Sequence, residues 1–542
     1  MSGLLSNAVS GLRSVQRALD TTGHNIANAN TPGYSRQSAV ISAREPSFEG
    51  SGYLGNGSMV ETVRRNFDGY VEGQLRDAIS ENGQLQYMDK FTGQVNELVG
   101  DLDTGLGQQI QSFYNAAEDV ANNPTDVTAR QAYLGAMDNV ASRLNTLDRQ
   151  LESMEMQLGS EVKAIGDKIN AHASEIADLN REITEAQFRT PNQKPNDLLD
   201  RRDRLIRELA EEVDLRVQES PDGSVNLSLG SGQPLVLNAT ASDVDVKRSP
   251  AGISVEVGGT DITSLVKGGR LGGIIEAQDG VVTPLRNELG RVAAVFTETV
   301  NSVQAQGSDL NGAAGGDLLA TLEGTGGSTR NALVPASNEG TGSATFELDD
   351  VEALTGETYV ARWNGTDSTW DIYGSDSPNT RLEQVGPTGT STAVPGVEIT
   401  FDGAAQGGDR LVIRPTEGLA SQVATTTSDG ALVAAADAGS AAGARDNENM
   451  RRLIDEAKAQ DIGGIVNAAV GKVGTTASQV RLRAEAAEMT MTGLENRRES
   501  VSGVNLDEEA ANLLQFQQAY QALARTISVQ DRVFQSLLGA MG

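Results

Sequence analysis

The 542-residue chain has no cysteine, which removes disulfides, thiol catalysis and thiolate metal sites at once. Histidine is nearly as scarce, with only His24 and His172 present. A zinc site built on imidazole would need both plus a carboxylate, and no His-Glu-x-x-His spacing exists. Basic residues are also in deficit. Lys plus Arg is 43 against 74 for Asp plus Glu, a formal net charge of −31. Such a chain is repelled by phosphate backbones and anionic lipid, which argues against nucleic-acid and membrane partners. No apolar run reaches the roughly 18 residues needed to span a bilayer. The opening Met1-Ser2-Gly3-Leu4-Leu5 has no basic region leading into a long apolar one, so no cleaved signal peptide is expected. Nucleophile elbows and Walker loops are missing too: Gly471-Lys472 is followed by Val473, not Ser or Thr. Carboxylate pairs abound in so acidic a chain and carry no information. No cofactor or metal is expected, and an enzyme is the least favoured class.

What the chain does have is patterned ends. Toward the C-terminus apolar residues recur in steps of three and four: Leu513, Phe516, Tyr520, Leu523, Ile527, then Gln530, Phe534, Leu537 and Met541. The N-terminus answers with Leu5, Ala8, Leu12, Val15, Leu19, Thr22 and Ile26. Both are heptad seams, the pattern of helices that bury one stripe against other helices. The ends are nearly neutral. Arg13 and Arg17 against Asp20 make residues 1–35 net +1, and four acids against two arginines make 506–542 net −2. The remaining −30 lies between them. A lone pair of helices is marginal, because each buries only one side of its stripe. The ends are therefore expected to be mobile in the monomer and to order when neighbouring subunits complete the bundle. An ordinary intramolecular helical core is the alternative.

The first helix should run from about Leu4 to Ala27 and stop at His24-Asn25-Ile26-Ala27-Asn28-Ala29-Asn30-Thr31-Pro32-Gly33-Tyr34. Pro32 forbids helix at Thr31, and Gly33 frees the next turn. This is either a plain helix stop or a specified elbow, since Asn25, Asn28 and Asn30 can each tie loop backbone by side-chain hydrogen bonds. A mixed stretch follows to about Asn66, then helical pattern over Phe67 to Ser80 and again over Leu85 to Val99. Thr128 to Arg189 has no proline and is the longest helical candidate. Its apolar stripe runs Leu151, Met154, Leu158, Val162, Ile165, Ile169, His172, Ile176, Leu179, Ile183 and Ala186, with a break conceivable at Gly135, Gly159 or Gly166. From Leu215 the period falls to two and Asp222-Gly223 and Gly258-Gly259 supply turns, which predicts short antiparallel strands. Helix returns from Pro284 to about Gln304. Residues 307–440 are rich in Gly, Thr, Ser and Asp and hold both tryptophans, where Tyr359 to Trp370 reads as a hairpin around Asn364-Gly365. Helices resume near Asn447, including Ile465 to Arg498, and Asn505 is expected to cap the last one.

The fold class expected is mainly α with β insertions, nested and multidomain. Residues 1–35 and 506–542 would form a coiled-coil-like terminal domain. Residues 36–322 and 437–505 would form an elongated helical inner domain with a β part near 215–280. Residues 323–436 would form an inserted outer β domain.

"HNIANANTPGYSRQ" at 24–37 resembles the signature shared by flagellar axial proteins of the rod, hook and junction. The last 40 residues, from "GVNLDEEAANLLQFQQAYQ", resemble the end of the hook-associated proteins of the hook–filament junction, the first of that series. "RRNFDGYVEGQLR" at 64–76 and "PNDLLDRRDRLIRELAEEVDLRVQESPDGSVNLSLGSGQPLV" at 195–236 narrow the likeness, the latter to the junction family. His24 stands where that family usually has Asn or another polar residue. The resemblance covers about a third of the chain. It implies a non-enzymatic adapter of the bacterial flagellum that forms a helical ring between hook and filament. It also implies contacts with copies of itself, the hook protein and a second junction protein. Export would proceed without a cleaved signal, after a cytoplasmic chaperone has bound the C-terminal segment. The assembly positions would be Leu5, Leu12, Val15, Leu19 and Ile26, the elbow residues Asn25, Asn28, Asn30, Thr31, Pro32, Gly33 and Tyr34, and Leu513, Phe516, Tyr520, Leu523, Ile527, Phe534 and Leu537. Two other readings stay open. One is a hook or rod component, against which the helical middle argues. The other is a secreted enzyme on an axial scaffold, which would need catalytic groups in residues 307–440, where there is no His or Cys.

Overall fold

The structure is a computed structural model that describes residues 2–48, 52–100, 105–190, 193–230 and 232–541, with side chains at all of these but 2–4, 537, 538, 540 and 541. Its helices are α1 (Ser2–Ala27), α2 (Gly69–Val99), α3 (Leu106–Asn122), α4 (Val127–Arg189), α5 (Asn196–Glu212), α6 (Gly269–Ala277), α7 (Thr283–Gln306), α8 (Glu448–Ala459), α9 (Ile462–Ser502) and α10 (Leu506–Met541).

The proline-free interval is spent on α4, a single unbroken helix of 63 residues. Asp126 caps its start by accepting from the Thr128 amide. Its stripe Leu151, Leu158, Val162, Ile165, Ile169, Ile176, Leu179 and Ile183 is buried, but His172 is not on it. His172 is half-buried and Ala173 takes the buried place. The stripe of a straight helix, at 3.6 residues per turn, runs ahead of a 3.5-residue repeat, so the heptad count falls one position short here. Gly159 and Gly166 do not break the helix. A Cβ at either would meet Arg248 or Val246 of the strand Val244–Ser249, so the glycines let that strand lie flat on α4. Asn170 fixes it there by bonding the Val244 N–H and C=O at 2.8 Å each.

The two helical stretches expected before Val99 are one helix, α2. Gly83 sits mid-helix because α2 crosses the end of α5 there: a Cβ would stand 2.7 Å from the Glu211 carbonyl oxygen. The sequence reading missed α3 and α6. Phe113 of α3 packs edge-on against Phe296 of α7, ring centroids 5.0 Å apart, in the centre of the helical body. The expected short strands appear as a four-stranded sheet (Leu215–Glu219, Val225–Leu229, Gln233–Leu237, Thr240–Ala241) and a three-stranded one ending at Asp261. Between α8 and α7 the polypeptide makes two further four-stranded antiparallel sheets. The hairpin Tyr359–Asn364 with Thr369–Gly374 pairs Trp363 opposite Trp370, and Trp370 stacks on Phe401 of the other sheet at 5.6 Å. This β region is stitched to the helices through Arg286 of α7, which bonds Asp148 (3.1 Å) and Glu155 (2.8 Å) of α4 and Glu417 (3.1 Å). Burial pushes the Glu155 carboxyl above its ordinary range, with Glu417 adding to the shift and Arg286 opposing it.

The stretch before Asn66 is a hairpin, Gln37–Ala43 against Ser58–Arg65. It packs on α1, so the N-terminal helix is covered by its own continuation on one side and by α10 on another.

Candidate assembly site

The two terminal helices meet at the elbow, and a buried polar knot holds them there. Asn25, near the end of α1, is 1% exposed. Its Oδ1 accepts from the Gln37 N–H (2.9 Å) and from the Tyr34 hydroxyl (2.8 Å). Its Nδ2 donates to the Gln37 carbonyl (2.8 Å) and to Glu509 Oε2 (3.0 Å) on α10. The other Glu509 oxygen accepts from Arg36 Nε at 2.8 Å, and Glu508 takes Arg36 Nη1 at 2.9 Å. The Tyr34 phenol is pushed well above its ordinary value by burial and by the carboxylates of Asp197, Asp200 and Glu509. It therefore stays protonated and can donate to Asn25.

A second ring of contacts ties this knot to the helical body. Asp200 of α5 accepts from the Ser35 N–H (3.0 Å) and from Arg65 (3.0 Å). Burial raises its carboxyl above the usual range, against the opposing pull of those two donors. Gln37 and Asn196 exchange a side-chain bond at 3.2 Å, and Asn196 also donates to the Val63 carbonyl at 2.9 Å. The last carbonyl of α9, at Ser502, accepts from the Arg36 N–H at 2.8 Å. Gly33 adopts φ of +80°, and a Cβ there would press on Arg204 and Arg207 of α5 at 3.2 Å. Only glycine allows both the turn and the close approach. The elbow is thus specified, joining α1, α5, α9, α10 and the hairpin.

The three asparagines differ. Asn28 bonds the His24 carbonyl (3.0 Å) and receives the Thr31 hydroxyl (3.2 Å) on the surface, while Asn30, Thr31 and Pro32 are exposed. Along α1 the buried residues that precede Asn25 are small: Ala8, Ser10, Ser14, Ala18, Thr21 and Thr22. The hairpin covers this face, Ser58 bonding Ser10 (3.3 Å) and Ser14 (3.2 Å). Leu12, Val15 and Leu19 are half-buried, and Leu5 and Ile26 are exposed. Helix α10 touches α1 at Gly11, where a Cβ would stand 3.3 Å from Leu523. Leu513, Phe516, Leu523 and Ile527 are half-buried, whereas Tyr520 and Phe534 face solvent. The side chains of Leu537 and Met541 lie outside the described residues. Leu514, Val529 and Val533 are exposed as well. The terminal pair therefore leaves several large apolar side chains exposed in the single chain. Asn505 caps α10 as expected, accepting from the Asp507 and Glu508 amides. Reading the sequence missed Arg36, Gln37, Asp200 and Glu509. The one hint was a third acid in the first turn of α10, beyond what a cap uses.

No group of three or more His, Cys, Asp or Glu among the described residues could hold a metal ion. No described helix is long and apolar enough to cross a membrane.

Comparison with known proteins agrees with this layout. Residues 92–319 match the family described as flagellar hook-associated protein FlgK helical domain. Residues 5–34 match the flagella basal body rod protein family, and 498–540 the C-terminal family of the basal body rod FlgEFG proteins. The chain is 29% identical to flagellar hook-associated protein 1 of Escherichia coli (strain K12), over 99% of this chain and 100% of that one. It is 25% identical to the protein of the same name from Bacillus subtilis (strain 168), over 99% and 98%. The solved flagellar hook junction protein of Burkholderia pseudomallei shares the fold, with a TM-score of 0.68 at 19% identity over 79% of this chain and all of that one. With rod-type models on its two ends and the helical-domain model between them, the chain is similar over nearly its whole length to proteins named flagellar hook-associated protein 1.

Proposed function

We propose that the chain is a structural adapter of the bacterial flagellum that assembles as a helical ring at the hook–filament junction and connects hook to filament. The observation that carries this reading is the terminal pair. Its helices are locked to each other and to the body at the elbow, yet they leave a run of Leu, Phe, Tyr, Val and Ile uncovered in the single chain. Heterologous contacts between such faces propagate as a helix and need no second, different interface. Residues 1–35 with 506–542 serve as the assembly domain, 36–322 with 437–505 as the inner domain, and 323–436 as an outward domain. The partners are further copies of the chain, the hook protein and a second junction protein. Export proceeds without a cleaved signal, with a cytoplasmic chaperone on the C-terminal segment. The role is non-enzymatic, in keeping with structural relatives and the sparse histidine. The family's helical-domain match over 92–319 disfavours the hook or rod reading.

Deleting residues 506–542 tests the proposal. The inner helices and the β sheets do not depend on α10 for their core, so the truncated chain should stay folded while a strain carrying only that form loses attached filaments and motility. Normal filaments by electron microscopy would overturn it.

A further inference from the structure

Helix α10 is lined with leucine, phenylalanine, valine and isoleucine, yet among its described residues the only buried one is Glu509, 1% exposed. Burying a carboxylate in a helix rich in apolar residues is unfavourable unless it is fully bonded, and here both oxygens are used, on Asn25 at 3.0 Å and Arg36 at 2.8 Å. Capping does not require it. Asn505 already accepts from the Asp507 and Glu508 amides, and Asp507 and Glu508 supply exposed negative charge to the helix start.

The apolar seam, in contrast, says little about alignment. Sliding α10 by one heptad, about 10 Å at 1.5 Å per residue, would put Phe516 where Leu523 stands and Leu513 where Tyr520 stands. Nothing on α1 grades the receiving face by size along its length: Gly11 is at the contact, and half-buried Leu12, Val15 and Leu19 recur at similar steps. Apolar seams of this kind tolerate slippage, and a single buried polar residue is the usual means of fixing register.

We propose that Glu509 is a register pin: its buried carboxylate, held by Asn25 and Arg36, selects one alignment of α10 along α1. Slipping by a heptad would pull the carboxylate from both donors and leave Asn25 and Arg36 without it. The pin thus presents the open seam to the next copy in one fixed phase. This consequence rests on the adapter reading, whereas the pin itself is a property of the single chain.

The absence of native cysteine makes the test clean. The in-register pair Gly11→Cys with Leu523→Cys and the slipped pair Gly11→Cys with Phe516→Cys are each placed in the full-length chain. Bridging by a short bis-thiol-reactive linker is followed in dilute monomer. The in-register pair should bridge faster than the slipped pair by about ten-fold or more. Adding Glu509→Gln should shrink that ratio to about two-fold or less, whereas Glu508→Gln, at a largely exposed side chain on the same arginine, should leave it unchanged. Equal rates in the unsubstituted background would overturn the inference. So would an unchanged ratio in Glu509→Gln, or a loss of both bridges together, which would mean that Glu509 holds the helix and not its alignment. Because no ring or filament is needed, failure here is separable from failure of the truncation test.

Discussion

Asn25, Asn28 and Asn30 look alike in the sequence, and the structure gives them unequal work. Asn25 satisfies both polar groups of the Gln37 backbone, the Tyr34 hydroxyl and Glu509 from a buried position. Truncation leaves several of these groups buried without partners, each costing about 1–3 kcal/mol. Asn25→Ala should therefore open the elbow, and trypsin cleavage after Arg36 should accelerate by roughly 30-fold or more. Asn28→Ala removes only surface bonds and should change the rate by less than about three-fold. Equal rates in the two variants would show that the turn is no more than a helix stop. The sequence reading reached the elbow through the clustering of asparagine with Pro32 and Gly33, because local turn chemistry is written in adjacent residues. It could not rank the three asparagines, since the groups that set Asn25 apart are Tyr34 and Gln37 across the turn and Glu509, 484 positions away.

At the level of elements, periodicity located most of the helices, the 12-residue α8 among them, and missed α3 and α6. Helix α4 was legible because its stripe repeats over many turns, and the hairpin was not, because its strands bury almost no residue fully and so show no regular alternation. Helix α6, Gly-rich over Arg270-Leu271-Gly272-Gly273, has poor intrinsic propensity and is held by its neighbours. A Cβ at Gly273 would stand 2.8 Å from the Gln84 carbonyl oxygen of α2. The glycines of α4 illustrate the same limit. By propensity each weakens the helix by about 1 kcal/mol against alanine. Gly135 has nothing within 4 Å of its Cβ position, so Gly135→Ala should stabilise the helical body by about that amount. At Gly166 the new methyl would lie 3.1 Å from Val246 Cγ2. Val246 cannot retreat, because Asn170 clamps the strand at Val244. Gly166→Ala should therefore destabilise by about 1–2 kcal/mol. Urea unfolding followed by circular dichroism at 222 nm distinguishes them, and a gain at both sites would mean that the strand does not rest on α4.

Across the whole molecule, the pairing of the two ends was legible because matched seams at opposite termini have few other partners within one chain. What pins that pairing was not, since it is polar. The structure also moves the boundary between held and loose. Protection from amide exchange follows local opening, which is least where bonds are buried and greatest where a helix is packed on one side only. The elbow, from Asn25 to Gln37 and from Ser502 to Glu509, is tied into α5 and α9. Beyond it, α10 has no buried residue among those described, and α1 is covered mainly through small side chains. In dilute monomer, amides of residues 514–536 should therefore exchange fast, those of 5–20 at an intermediate rate because the hairpin shields one face, and those of the elbow slowly. Assembly should then slow 514–536 most, since that segment has the most apolar surface left to cover. Exchange read by mass spectrometry on monomer and on assembled material decides this. Uniform slow exchange along α10 in the monomer, unchanged on assembly, would mean that the seam is complete within one chain and that its exposed side is not where copies meet.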